Sequence, residues 1–131
     1  HASEAGLAGA VSLMEAVGKA VVIPESHQDA AAAISGSGPA YIFYVAEALA
    51  DAGVLLGLPR AVATALATQT LLGSSTLLDA SGQHATLLRE RVTSPGGTTA
   101  AALRVLDDRA VKAAFIAAAE ACRDRSAELG R

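Results

Sequence analysis

The sequence predicts an all-α protein that is preceded by a short helix–strand segment typical of an α/β fold. Two observations carry this prediction. The 131-residue chain is rich in alanine and is 52% hydrophobic, while aromatic residues make up only 3%. Alanine has the highest helix propensity and lets helix axes approach closely. After Pro24, apolar residues also recur at helical spacing along nearly the whole chain.

The first 24 residues predict one helix and one strand. Ser3 is a suitable N-cap, apolar residues follow it at helical spacing, and Gly18 is suited to ending the helix. Residues 19–23 include a β-branched run that is closed by Pro24, which is typical of a strand. Because an isolated strand has no hydrogen-bonding partner, its sheet is expected elsewhere, and residues 1–24 are predicted to end an α/β unit.

Residues 25–131 are predicted to form an all-α body of helices joined by loops. The predicted helices cover residues 26–34, 39–52, 61–78, 84–91, 98–107 and 109–129. The segment 61–78 has no charged residue, and its length is near the lower limit for crossing a membrane. Its many hydroxyl side chains make it a poor lipid-facing helix, so we expect it to be surrounded by other helices and predict no membrane association. No signal-peptide pattern precedes it, so the simplest location is cytoplasmic.

Composition and charge exclude several classes of protein. Disordered chains combine low hydrophobicity with high net charge, whereas this chain has a net charge of −3 and a mean hydropathy of +0.39. A single cysteine excludes an internal disulfide framework. No cluster of Lys and Arg is present, so nucleic acid is not expected as a partner. Because alanine buries little apolar area, we expect helix faces to be buried against a partner, and the composition predicts an oligomer.

A glycine-rich loop at residues 94–99 precedes a predicted helix N-terminus. Free backbone N–H groups and the helix dipole make such a position an anion site, and glycine lets a ligand approach the backbone. The amides of Gly97, Thr98 and Thr99 are therefore expected to converge on one carboxylate or phosphate. The hydroxyls of Ser94, Thr98 and Thr99 would add further donors. A capped helix after an ordinary Pro-Gly turn is the alternative that local chemistry leaves open.

A second glycine-rich segment, Ser-Gly-Ser-Gly-Pro at residues 35–39, is predicted to be a loop before another helix. It is not a dinucleotide-binding fingerprint, because a helical segment rather than a strand precedes it and Tyr41 stands where the third glycine belongs. Two interpretations stay open for this segment. It is either a surface without side chains against which a planar ring can rest, or a simple connection between helices.

The remaining polar and reactive residues predict no second site. His1 is terminal, while His27 and His84 lack the spacing of metal ligands, so surface or capping roles and no metal are expected. Cys122 lies on the apolar face of the last predicted helix and is interpreted as an inert core residue. No paired carboxylates and no catalytic triad stand out. Any catalysis would therefore rely on positioning and hydrogen bonding.

Two motifs in this sequence resemble those of the pyrroline-5-carboxylate reductases. Residues 88–107, with Val-Thr-Ser-Pro-Gly-Gly-Thr-Thr at 92–99, resemble the family signature. The sequence Ile-Ser-Gly-Ser-Gly-Pro-Ala-Tyr at 34–41 is similar to a second hallmark. Shorter matches follow in the expected order at residues 50–54, 57–60 and 69–73. The resemblance covers essentially the whole chain.

The resemblance implies a Rossmann domain for NAD(P)H followed by an all-α domain that forms an intertwined dimer. It assigns residues 1–24 to the tail of a truncated Rossmann domain and residues 25–131 to the dimerisation and substrate-binding domain. The glycine-rich cofactor fingerprint of the family is absent, so the chain is expected to lack most of the cofactor site and to be inactive alone. The implied partners are a homodimer, which can assemble into a decamer, and a small imino acid. The implied cofactor is NADPH or NADH.

The implied reaction is reduction of the C=N bond of L-1-pyrroline-5-carboxylate to give L-proline, the last step of proline biosynthesis. The implied substrate-binding residues are Val92, Ser94, Gly96, Gly97, Thr98 and Thr99. Among them Thr99 is the implied catalytic residue, because its hydroxyl would meet the ring nitrogen. The implied cofactor-adjacent residues are Gly36, Ser37, Gly38 and Pro39. Two other functions stay open: a non-catalytic helical oligomerisation module, and a related reductase of another imino or keto acid.

Overall fold

The computed structural model describes residues 3–130, and His1, Ala2 and Arg131 lie outside the described residues. Within this range the helices are α1 Glu4–Glu15, α2 Gln28–Ala31, α3 Gly38–Leu55, α4 Arg60–Ser81, α5 Ala85–Arg91, α6 Thr98–Asp108 and α7 Val111–Leu129. A 3-10 turn, Glu25–His27, precedes α2, and a π-helical turn, Ala32–Gly36, joins α2 to α3. The prediction of an all-α body is confirmed.

The N-terminal segment contains the predicted helix but not the predicted strand. The Ser3 hydroxyl accepts a hydrogen bond from the Gly6 amide at 3.2 Å and caps α1 as expected. Residues 19–23 have no regular secondary structure, so the predicted strand is wrong for residues 3–130. A strand needs a neighbouring strand to bond its backbone groups, and the described residues contain none. The apolar side chains of this segment instead share a surface groove with α1.

The Ser-Gly-Ser-Gly-Pro segment is a helical turn rather than the predicted loop. The Ser37 amide donates a hydrogen bond to the Ala32 carbonyl, five residues back, at 2.9 Å, and Gly38 begins α3. Pro39 gives the physical reason, because it has no N–H and its ring collides with the carbonyl four residues earlier in a regular α-helix. Here a wider π turn precedes Pro39 in place of a regular α-helical turn. The helical path therefore continues from α2 into α3.

A hairpin of α3 and α4 contains the closest helix packing in the protomer. Ala50, Ala63 and Ala67 are buried in it. Gly53 is required by this close approach, since a Cβ at that position would lie only 2.8 Å from the Ala63 Cβ. The hairpin turns at Gly57, whose φ of +98° favours glycine. Small side chains thus allow the two helix axes to approach.

Helix α7 packs across the chain from α2 to the start of α3. Ser126 on α7 donates a hydrogen bond to the Asp29 carboxylate at 2.6 Å, and the Cys122 thiol donates one to the Ser37 hydroxyl at 3.1 Å. Ala33 in the π turn, which α7 contacts, is only 2% exposed. Helix α7 begins after Ala110, whose φ of +53° separates it from α6. The C-terminal helix therefore fixes the segment that the sequence predicts to lie beside a cofactor.

The protomer exposes far more surface than a monomer of its size. Its accessible surface is 10276 Å², whereas a monomeric protein of this mass is expected to expose about 6,400 Å². The buried hydrophobic residues of the described chain are all alanines. The excess of about 3,900 Å² per protomer is characteristic of large obligate interfaces. This exposure agrees with the prediction that helix faces are buried against a partner.

Helix α4 is long and apolar enough to cross a membrane when only its length and composition are considered. In the protomer it packs mainly against α3, and only 11% of its most apolar window is buried. The expected position among several other helices is therefore not reached within one protomer.

Candidate functional site

The Pro-Gly-Gly loop forms a tight turn directly before α6. The Gly97 amide donates a hydrogen bond to the Ser94 carbonyl at 3.0 Å, which closes a four-residue turn. Gly96 has a φ of +69°, and Pro95 precedes it. Proline at the second position and a glycine of positive φ at the third are typical of a type II turn. The turn delivers the chain to Thr98, the first residue of α6, in a defined direction.

Gly97 is the N-cap of α6 and has no room for a side chain. A Cβ there would collide with the Ser94 Oγ and lie 3.2 Å from the Ser94 carbonyl oxygen. The Ser94 hydroxyl therefore lies over the backbone of Gly97, beside the N-terminus of α6. This arrangement explains why two consecutive glycines follow Pro95: Gly96 supplies the positive φ and Gly97 the space.

The first amides of α6 have no backbone acceptor. The first hydrogen bond into the helix joins the Ala101 amide to the Gly97 carbonyl at 3.1 Å, which leaves the amides of Thr98, Thr99 and Ala100 unpaired within residues 3–130. These three amides and the helix dipole favour an anion at this position. The Gly97 amide does not belong to this set, contrary to expectation, because the turn uses it. The Ala100 amide, which the sequence analysis did not name, belongs to it instead.

Helix α6 has no side-chain cap in the described chain, so the alternative of a capped helix is not observed. Gly97 carries no side chain, and no side-chain hydrogen bond caps α6 in the described chain. A Ser, Thr, Asp or Asn cap usually contributes about 1 kcal/mol to stability. Its absence at α6 leaves the helix N-terminus open to an exogenous anion.

Among the described residues around the turn, one hydroxyl is hydrogen-bonded to the backbone, and the others are free to bind a ligand. The Thr93 hydroxyl donates to the Arg89 carbonyl at 2.6 Å and so helps to end α5. Val92 is 65% exposed, Ser94 and Thr98 are also exposed, and Thr99 is half-buried. The hydroxyls of Ser94, Thr98 and Thr99 make no hydrogen bonds within the part of the chain that the structure describes. The turn therefore offers both hydroxyl and amide donors to a ligand.

The 35–39 segment presents a face with few side chains. A Cβ at Gly38 would meet nothing within 4 Å, and one at Gly36 would meet only the Ala32 Cβ, at 3.9 Å. Pro39 is exposed. A flat ring can therefore approach the backbone of this segment closely, although the segment is a helical turn and not a loop.

A small polar cluster lies behind this segment. The Cys122 Sγ is 3.1 Å from the Ser37 Oγ, and the Tyr41 hydroxyl lies close to the same thiol. The neighbouring Cys122 side chain and partial burial raise the pKa of the Tyr41 phenol. Cys122 is half-buried, and its thiol is engaged with α3. The interpretation of Cys122 as an inert core residue missed this contact, because its partner lies 85 positions away.

Helix α6, which follows the 94–97 turn, makes no extensive contact with the π turn before α3 within the described residues. Within residues 3–130, the π turn packs against α2, α3 and α7, while α6 packs against α7. One protomer therefore offers two separate surfaces: an anion site at the start of α6 and a flat face at the start of α3.

Residues 25–129 match the family described as pyrroline-5-carboxylate reductase dimerisation. The chain belongs to this family. The pyrroline-5-carboxylate reductase of Synechocystis sp. is 48% identical over 95% of this chain and 47% of that protein. The enzyme of Methanosarcina acetivorans is 44% identical over 100% of this chain and 48% of that protein. The chain thus spans about half the length of the curated relatives it matches.

Solved structures of pyrroline-5-carboxylate reductases have the same fold. The Coxiella burnetii structure has a TM-score of 0.93 and 41% identity, covering 98% of this chain and 48% of that one. A Plasmodium falciparum pyrroline carboxylate reductase, solved with NADP bound, has a TM-score of 0.91 and 34% identity. It covers 100% of this chain and 53% of that one. The resemblance identified from the two glycine-rich motifs is confirmed.

One of the two histidines expected to have surface or capping roles caps a helix. The His84 Nδ1 accepts a hydrogen bond from the Thr86 amide at 3.2 Å and is the N-cap of α5. His27 ends the 3-10 turn before α2, while His1 lies outside the described residues. The described residues thus give His84 a structural role in this pyrroline-5-carboxylate reductase family member.

Proposed function

We propose that this chain is the substrate-binding and dimerisation part of an enzyme that reduces L-1-pyrroline-5-carboxylate to L-proline, the last step of proline biosynthesis. The observation that carries the proposal is the uncapped N-terminus of α6, which follows a glycine turn in a member of the pyrroline-5-carboxylate reductase dimerisation family. Residues 1–24, which precede the family match, are the end of a cofactor domain in this proposal. The curated relatives, about twice as long, support that division.

The substrate carboxylate binds at the start of α6. The amides of Thr98, Thr99 and Ala100 are the donors, and the Ser94 hydroxyl adds a fourth beside Gly97. A carboxylate at a helix N-terminus needs no charged side chain, because the dipole and the free amides supply the positive potential. The exposed Val92 at the end of α5 contacts the ring of the substrate.

The Thr99 hydroxyl forms a hydrogen bond with the ring nitrogen of the substrate. It is the second residue of α6 and half-buried, and its hydroxyl has no partner in the described chain. A hydroxyl can both donate and accept a hydrogen bond. The hydroxyl oxygen accepts a hydrogen bond from the protonated ring nitrogen and so stabilises the iminium form, which is the better hydride acceptor. Fixing the carboxylate and the nitrogen together orients the imine carbon, and such positioning supplies a large part of a rate enhancement.

The flat face at residues 36–39 accepts the nicotinamide ring. A Cβ at Gly38 would meet nothing, so a planar ring fits against this backbone without a clash. The nicotinamide of NADPH or NADH supplies the hydride for the imine carbon. The contribution of Gly36, Ser37, Gly38 and Pro39 is to limit where the ring can lie and to exclude water from one of its faces.

The working form is a homodimer in which two copies complete the site. Helix α6 and the π turn before α3 make no extensive contact within the described residues, and the protomer exposes about 3,900 Å² more than a monomer should. A partner that crosses α3, α4 and α7 would cover this excess and join the two surfaces. Assembly of dimers into a decamer, a cytoplasmic location and the lack of nucleic-acid and membrane partners complete the proposal.

The test is steady-state kinetics on the complete polypeptide that contains this sequence. We expect NADPH or NADH oxidation that depends on L-1-pyrroline-5-carboxylate, and L-proline as the product. Binding of L-proline without any turnover would favour the non-catalytic oligomerisation module. Faster turnover of a different imino or keto acid would favour a related reductase.

A further inference from the structure

We propose that α7 positions the flat face at residues 36–39 through two hydrogen bonds, Cys122 to Ser37 and Ser126 to Asp29, and that Cys122 and Ser126 are therefore positioning residues for the reductase. This inference rests on the proposed function. It concerns two residues of α7, outside both glycine-rich motifs.

The two bonds together form a two-point connection between α7 and the chain before α3. Cys122 and Ser126 are four residues apart, so they lie on the same face of α7, one turn apart. The Ser126 hydroxyl donates a short hydrogen bond to the Asp29 Oδ1, at 2.6 Å. The Cys122 thiol donates to the Ser37 Oγ at 3.1 Å. One bond anchors α2 and the other anchors the N-cap residue of α3.

Residue Ser37 needs such an anchor because of its backbone. It lies at the end of a π turn, a rare and wide conformation that is often found at functional sites. The next residue but one, Pro39, lacks an N–H, so the usual helix bond at that position is missing. A helix ladder with these gaps constrains Ser37 less than a regular α-helix would. The packing of the buried Ala33 near α7 and the thiol contact supply the missing constraint.

The Ser37 hydroxyl could either cap α3 or bond to α7. Serine at an N-cap usually accepts a hydrogen bond from the second or third amide of its helix. Ser37 is the N-cap of α3 but makes no such bond, and its oxygen accepts from the Cys122 thiol instead. The hydroxyl proton of Ser37 is not used by this bond. The Tyr41 hydroxyl, one turn further along the chain, lies close to the same thiol.

The experiment compares Cys122→Ala, Cys122→Ser and Ser126→Ala in the complete polypeptide. We expect Cys122→Ala to lower kcat about fivefold, the effect of losing one hydrogen bond, with the KM for L-1-pyrroline-5-carboxylate unchanged because the 94–99 turn is not touched. Cys122→Ser keeps a donor at the same position and should restore kcat to within about twofold. Ser126→Ala should lower kcat by a smaller factor.

A control separates positioning from general stability. Ala67→Gly removes a buried methyl group between α3 and α4, away from the flat face, and should lower Tm while leaving kcat unchanged. Equal losses of kcat in Ala67→Gly and Cys122→Ala, or the absence of any loss in Cys122→Ala, would overturn the proposal. So would a Cys122→Ser variant as slow as Cys122→Ala.

A second measurement does not depend on activity. Hydrogen exchange of the amides in residues 32–41 should become faster in Cys122→Ala but stay unchanged in Cys122→Ser and Ala67→Gly. If the wild-type polypeptide does not reduce the imine, the proposed function fails while hydrogen exchange still decides the positioning claim. Unchanged exchange in Cys122→Ala would contradict the positioning claim whatever the activity.

Discussion

The two glycine-rich segments of this chain have similar composition but opposite structures. At 94–97 a glycine with φ of +69° makes a tight turn, and three helix amides are left free after it. At 35–39 no residue has a positive φ, and the backbone continues through a π turn into α3. The first segment offers backbone donors, and the second offers a surface without side chains. Glycine content alone therefore does not distinguish a loop from a helical turn.

The position of proline explains the difference between the segments. Pro95 precedes two glycines, so the chain can reverse at Gly96 and begin a new helix. Pro39 follows the glycines and falls within the first turn of α3, where its lack of an N–H is tolerated. When proline precedes the glycines, the chain turns before a new helix begins. When proline follows them, the helical path continues.

The largest expected effect tests the first segment. Thr99→Val removes the hydroxyl but keeps the side-chain shape, so kcat should fall about 100-fold if this hydroxyl handles the proton. The matched control is Thr76→Val on α4, whose hydroxyl only bonds the Leu72 carbonyl. Kinetics with L-1-pyrroline-5-carboxylate should be unchanged in the control. Equal rates for wild type and Thr99→Val would remove Thr99 from the mechanism.

The next effect separates the two glycine segments directly. Gly97→Ala puts a Cβ against the Ser94 hydroxyl, displaces the turn and should raise the KM for the imino acid about 30-fold. Gly38→Ala puts a Cβ into open space, so the KM for the imino acid should stay as in wild type and only the KM for the cofactor should rise. Steady-state kinetics with each substrate varied measures both constants. The same change in both variants would mean that the segments do not have separate roles.

The smallest expected effect concerns the two prolines. Pro95→Ala raises the conformational entropy of the unfolded chain, so it should lower the free energy of unfolding by about 0.4–1 kcal/mol. Pro39→Ala restores an N–H in the first turn of α3 and adds a good helix former, so these gains should offset the same entropy term. Urea unfolding at one fixed protomer concentration gives both values. A larger loss for Pro39→Ala than for Pro95→Ala would contradict this expected offset.

Much of the helical structure follows from local signals that the sequence shows directly. Ser3 caps α1, and Pro39 lies in the first turn of α3, both as the sequence predicts. These features depend on residues within a few positions of one another. The family resemblance likewise rests on contiguous motifs, which is why both could be predicted.

The wrong predictions concern features that depend on partners or on hydrogen-bond register. The β-branched run at 19–23 forms no strand in the described chain, because strand formation requires a second strand. The π turn depends on a bond from Ser37 to Ala32, which composition does not reveal. The Gly97 amide is predicted to be free, but it bonds to the Ser94 carbonyl, and within residues 3–130 the Ala100 amide is free instead. The Cys122–Ser37 contact spans 85 positions and needs the tertiary fold.

The most direct test of the account is a crystal structure of the complete polypeptide with L-proline bound. The account predicts that the carboxylate lies at the start of α6, with its oxygens about 2.7–3.2 Å from the amide nitrogens of Thr98, Thr99 and Ala100. A carboxylate held by charged side chains elsewhere, with these three amides bonded within the protein, would contradict it.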